Sequence, residues 1–215
     1  TLSLHDALPI FGRAIQAKAD RRNLPGQFVL SGSQNFLLLR SIKQSLAGRV
    51  GIAYLMPLSY PEIRSSNPAV SLPELMVRGS YPAPHASDVP TRLFYENYLD
   101  TYVTRDVMGY LDVRNERDFR RFIVACAARA GNLVNYADLA RDIGMSVPTV
   151  RSWFSILESS FVVNTLAPYS ANIAKRLTRT SKLYFCDTGL LYHLLGIGDV
   201  CQRSEERRVG KECRS

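Results

Sequence analysis

An α/β segment followed by a mainly α region is the fold class that the sequence predicts, on three observations. Up to Leu55, helical and strand-like stretches alternate. After Pro90 the prolines nearly vanish and apolar residues recur at helical spacing. Between Asn135 and Phe185 the spacing is that of a helix-turn-helix followed by two short strands. Alternation of the first kind is the pattern of a parallel sheet, and the second is that of packed amphipathic helices.

Phe11 to Arg22 forms the first helix candidate, with Ile15 and Ala19 on one face and the Asn23-Leu24-Pro25-Gly26 turn ending it. Gln27 to Leu30 reads as a buried strand. It runs into Ser31-Gly32-Ser33-Gln34-Asn35, a small polar cluster at a strand's C-terminal end, where open α/β sheets put their ligands. Phe36 to Ala47 is a second helix candidate that Gly48 stops, and Val50 to Leu55 supplies a second apolar strand after Arg49.

Pro57 to Pro90 holds most of the eleven prolines, which excludes long regular helices while leaving room for a short one over Leu72 to Val77. A domain boundary is placed here. Leu99, Tyr102, Val103, Asp106 and Val107 then share a helical face, as do Phe119, Phe122, Ile123, Cys126 and Ala127. Asn135 can cap a helix through Ile143. Gly144 supplies a left-handed turn, and Ser146 can cap a second helix that turns Val147, Val150, Trp153, Phe154 and Leu157 inward. Ala140, Gly144 and Val150 stand where a helix-turn-helix puts its small contact residue, its turn glycine and its buried branched residue. Strand candidates Phe161 to Leu166 and Lys182 to Phe185 flank a basic loop, so the expected unit is a winged helix. Asp187-Thr188-Gly189 opens a last helix through Leu195, with Asp187 as its cap in preference to a metal ligand.

Composition narrows the function classes. With 46% hydrophobic and 21% charged residues over 215 positions, disorder and collagen are excluded. No apolar run approaches the roughly 20 residues of a membrane span and no signal-type core opens the chain, so a cytoplasmic protein with no membrane partner is expected. Cys126, Cys186, Cys201 and Cys213 lie far apart, with no Cys-x-x-Cys pair and no histidine nearby, which suggests neither disulfides nor a zinc site. His85 and His193 lack evident partners. The net charge of +8 permits a nucleic-acid partner.

The two flanks carry a separate signal. Residues 1–10 are what a common sequencing-adapter oligonucleotide encodes, and the reverse complement of that oligonucleotide with its flanking bases encodes Arg203 to Cys213 without a mismatch. Both flanks are therefore expected to be adapter-derived and to pack against nothing, and the natural protein to be longer. Setting residues 1–10 and 203–215 aside leaves 22 basic and 15 acidic residues, a net charge of +7.

The stretches GQFVLSGSQNFLL, SLAGRVGIAYLMPLS, VRGSYPAP, YLDTYVTRDV, NYADLARDIGMSVPTVRSWFSILESSFVV and KRLTRTSKLYFCDTGLLYHLLGI, in this order, cover almost all of Phe11 to Ile197. Together they resemble the prokaryotic AAA-type ATP-binding proteins in which a domain of unknown function follows the ATPase core. The resemblance implies the C-terminal half of a AAA-type P-loop sheet domain over residues 11–60, a proline-rich lid or linker over 61–90, and a helical region with a winged helix-turn-helix over 91–202. It further implies that Ser33, or failing that Ser31, takes the sensor-1 place. Arg49 takes that of the arginine finger acting on a neighbouring subunit of a homo-oligomer, and ATP and Mg²⁺ serve the intact parent. The sequence departs from the pattern in having no Gly-x-x-x-x-Gly-Lys-Ser/Thr string and no strand ending in an Asp-Glu pair. The piece is accordingly expected to lack activity of its own.

Each site has a plainer reading. Ser31 and Ser33 suit a helix cap, and Arg49 a helix C-terminus. On the second helix of the helix-turn-helix, Thr149, Arg151 and Ser152 face outward with Pro148, as any solvated face does. If that unit binds DNA, these three enter the major groove while Lys175, Arg176 and Arg179 contact phosphates; otherwise the unit docks a protein partner as an adaptor.

Overall fold

The computed structural model describes residues 14–21, 26–29, 50–104, 116–169 and 180–198. The chain divides into two compact units, Thr1–Leu55 and Met56–Ser215. The adapter-like flanks lie outside the described residues.

In the first unit, helix α1 spans residues 14–21 with Ile15 buried, as the spacing predicts. The strands expected at 27–30 and 50–55 are not formed in the described residues 27–29 and 50–55. Val29 and Leu55 are almost fully exposed, at 92% and 101%. A strand is stable only within a sheet, and among the described residues the one sheet is a two-stranded pair over Val163–Leu166 and Lys182–Phe185.

The second unit opens with three short helices in the proline-rich stretch: α2 (Tyr60–Ser66), α3 (Leu72–Arg78) and α4 (Pro82–Ala86). Each carries a proline in its first two positions, where the missing N–H is no loss, so the prolines start these helices. The Glu62 carboxylate accepts hydrogen bonds from the Ser59 N–H and hydroxyl at 2.7 and 2.6 Å, bonds that hold its pKa below the usual carboxylate value. Ser71 Oγ accepts from Glu74 N at 3.3 Å. Ile63, Val70 and Leu75 form a small core with Leu58. The stretch expected to be a lid or linker is thus folded, and α3 packs on the chain's last helix.

Helix α5 (Thr91–Tyr98) continues into a π-helical turn, Leu99–Thr104. Then come α6 (Glu116–Ala127), α7 (Tyr136–Ile143) and α8 (Val147–Ser159), strands β1 (Val163–Leu166) and β2 (Lys182–Phe185), and α9 (Thr188–Leu194). Phe119, Phe122, Ile123, Cys126 and Ala127 all lie inward on α6, as their spacing predicts. Trp153 stands edge-on to Phe119 and Phe122 at centroid distances of 5.4 and 5.5 Å, a core residue as expected. Burial pushes the Cys126 thiol up to about 12.

The strands pair antiparallel, with Val163 opposite Phe185 and Leu166 opposite Lys182. On its other edge β2 meets residues 131–134, through Leu183 N to Asn132 O at 2.9 Å and Val134 N to Ser181 O at 2.9 Å. The first strand starts at Val163 and not at the expected Phe161, which sits at φ +56 in a tight turn where strand geometry is impossible.

One buried carboxylate joins the two ends of this unit. Asp187, 1% exposed, accepts from Leu190 N at 2.6 Å as the cap of α9, and from Ser80 N at 2.5 Å across 107 residues of sequence. Tyr95 packs against it, its hydroxyl donating to Arg78 O at 3.1 Å. Burial raises the Asp187 pKa, opposed by the bonds from Ser80, Leu190, Tyr95 and Gly189. Two glycines make the room: a Cβ on Gly189 would fall on the Tyr95 hydroxyl, and one on Gly79 (φ +78) would also lie 2.7 and 2.8 Å from the Asp187 oxygens. Asp187→Ala, which strands these donors, is expected to cost about 3 kcal/mol or more, and Asp187→Asn less, because the amide oxygen still accepts. Urea unfolding checks both. A raised carboxyl pKa adds stability that is complete below the ordinary value of 3.8 and fades as pH climbs through the folded value. The wild type's advantage over Asp187→Asn should therefore shrink with rising pH.

Candidate nucleic-acid interface

The helix-turn-helix is built by three local devices that the sequence anticipates. Asn135 Oδ1 accepts from Ala137 N and Asp138 N at 3.0 and 3.2 Å, starting α7. Gly144 ends it in the left-handed region at φ 72, ψ 33. Ser146 Oγ then accepts from Thr149 N at 3.3 Å to start α8. Val150, Trp153, Phe154 and Leu157 are buried as expected; Val147 is half-buried, and Ile156 joins the core unannounced.

Of the residues that the sequence nominates, Arg151 and Ser152 are exposed on α8, beside the exposed Pro148. Thr149 is half-buried and its hydroxyl lies 2.7 Å from Ser146 Oγ, so it shares in the capping. Ser31, Ser33, Arg49, Lys175, Arg176 and Arg179 lie outside the described residues. The Arg151 guanidinium sits over the Tyr136 ring, 4.7 Å from its centroid. Tyr136 is held edge-on by Phe154 at 5.4 Å and 84°. Its hydroxyl pKa is raised by burial and then by Glu158, with Arg151 acting the other way. Sequence reasoning missed Tyr136, because its contact with Arg151 forms only when the two helices cross.

A second surface was also missed. An open groove of about 910 Å³ runs along α6 and α7, with Arg117, Arg120, Arg121, Arg129 and the exposed Val124 among its lining. Arg117, Arg120, Arg121 and Val124 recur at three- and four-residue intervals opposite the core face of α6, a signal the sequence carries. Arg120 pairs with Asp100 and Glu116, and Arg129 with Asp142, so the lining is of mixed charge.

Residues 69–200 match the domain of unknown function DUF8612, and residues 6–64 match an AAA domain. The chain belongs to the DUF8612 family. Two curated relatives are the uncharacterized proteins Mb2031c of Mycobacterium bovis and Rv2008c of Mycobacterium tuberculosis. Each is 32% identical over 213 residues, covering 98% of this chain and 47% of its own length. The chain thus spans about half the length of the curated relatives it matches. No solved structure matches it.

The AAA match makes nucleotide binding relevant to the longer protein. The sequence has no phosphate-cradle string, and no group of three or more His, Cys, Asp or Glu that could hold a metal ion occurs among the described residues. His85 Nε2 bonds with Gly79 O at 2.9 Å, and the His193 ring stacks on Tyr95. Among the described residues, no helix is long and apolar enough to cross a membrane. Asn135→Ala removes the acceptor for two helix N–H groups and is expected to lower stability by about 1 kcal/mol in denaturant unfolding, leaving the fold intact.

Proposed function

We propose that this chain is part of a AAA-family ATP-binding protein, and that α6, α7, α8 and the β1–β2 pair form a winged helix that binds duplex DNA. The observation that carries the first half is the order of the matches, an AAA domain followed directly by the domain of unknown function. In that reading Ser33, with Ser31 as the second choice, takes the sensor place. Arg49 serves a neighbouring subunit's site, and the parent works in the cytoplasm as a homo-oligomer. The piece itself binds ATP poorly, since sensor and finger residues only refine a site whose affinity comes from the phosphate loop and Mg²⁺. Calorimetry on the chain is expected to give no micromolar, Mg²⁺-dependent ATP binding; such binding would overturn the assignment.

Support for the DNA half comes from the sequence of elements. A helix-turn-helix is followed by an antiparallel pair, its second helix shows Arg151 and Ser152 to solvent, and the loop between the strands holds Lys175, Arg176 and Arg179. A net charge of +7 over residues 11–202 is a modest field, so weak and largely non-specific binding is expected. Replacing the three loop cations by alanine should weaken all duplexes alike and flatten the plot of log K against log salt by about 0.9 per lost phosphate contact. Failure to bind any duplex even in low salt would favour the adaptor reading, for which the groove along α6 and α7 is the supporting observation.

A further inference from the structure

We infer that Tyr136 is a positioning residue for Arg151, holding the guanidinium ready for base-edge contact at the mouth of the helix-turn-helix. This rests on the DNA-binding reading above. Arg151 lies in the second turn of α8, next to the exposed Pro148 and Ser152. Its guanidinium carbon is 4.7 Å from the centre of the Tyr136 ring. Tyr136 is the first residue of α7, so the contact ties the start of one helix to the outward face of the other. The ring itself cannot wander, because Phe154 of the core meets it edge-on at 5.4 Å.

The contact over the ring uses the charge of the guanidinium and not its N–H donors. The five N–H donors lie in its plane, so an arginine resting on a ring keeps its fork free for a bidentate acceptor such as the O6/N7 edge of guanine. An exposed arginine without such a rest must give up rotamer freedom when it binds; one already held over a ring has given it up on folding. Lysine in the same place would keep the charge but lose the fork. The ring thus acts on sequence discrimination and leaves the general attraction to phosphate almost untouched.

The full chain is titrated by fluorescence anisotropy against labelled duplexes. These are a randomised 20-base-pair pool and the sequences enriched from it by the wild type, compared across Tyr136→Phe, Tyr136→Leu, Arg151→Ala and Arg151→Lys, with urea midpoints recorded for each. Tyr136→Phe should behave as wild type, since the ring face suffices. Tyr136→Leu should lose about two- to five-fold of the preference for enriched over random duplex, the size of an exposed cation–ring contact, with affinity for the random pool unchanged. Arg151→Lys, a surface change that leaves the core alone, should lose at least as much preference, and Arg151→Ala should gain nothing further from Tyr136→Leu. Three results overturn the inference: full preference in Tyr136→Leu, equal losses in Tyr136→Phe and Tyr136→Leu, or full preference in Arg151→Lys. Each leaves the DNA reading standing if the wild type binds. Absence of any duplex binding by the wild type removes the DNA reading itself, and this inference with it.

Discussion

The second unit depends on a carboxylate taken out of water. Asp187 is buried where α9 begins, and its donors come from Ser80, Tyr95 and the first turn of α9. Left unpaired, such a group would cost several kcal/mol, so the surrounding chain must bring the Ser80 and Leu190 N–H groups to it together. That requirement fixes the Gly79 turn, because only glycine fits at φ +78 under the Tyr95 hydroxyl. It also fixes Gly189, since any side chain there would displace the tyrosine. The proline-rich helices are thereby fastened to α9, which is why a stretch of such composition is packed.

Around this point the unit has two kinds of order. Near Asp187 it is aromatic and polar. The Tyr81 and Tyr98 hydroxyls lie 2.8 Å apart, Phe94 stands edge-on to Tyr95, and His193 stacks on Tyr95 with its pKa lowered by burial. Around Trp153 it is apolar, with α6, α7, α8 and the strand pair closing on one core. The helix-turn-helix is therefore carried on a rigid base, and a side chain such as Arg151 is placed by packing below it as well as by its own rotamer.

An AAA domain match over residues 6–64 is followed by a match to a domain of unknown function over residues 69–200, so the two family models divide the chain between them. No Gly-x-x-x-x-Gly-Lys-Ser/Thr string occurs in this sequence. The surfaces it does carry, an arginine-bearing helix face and a groove of mixed charge along α6 and α7, are suited to contact.

The sequence by itself determined what is local. The caps at Asn135, Ser146 and Asp187, the left-handed turn at Gly144, and the inward faces of α6 and α8 follow from residues within a few positions of each other. Helical hydrogen bonds and amphipathic spacing act over that range. The tertiary structure alone decided the rest. Ser80 meets Asp187 across 107 residues, and Tyr136 meets Arg151 only because two helices cross. The expected strands at 27–29 and 50–55 failed for a related reason. Their apolar composition suits a sheet, but a sheet is a property of neighbours, and no residue pattern within one segment supplies the strand beside it.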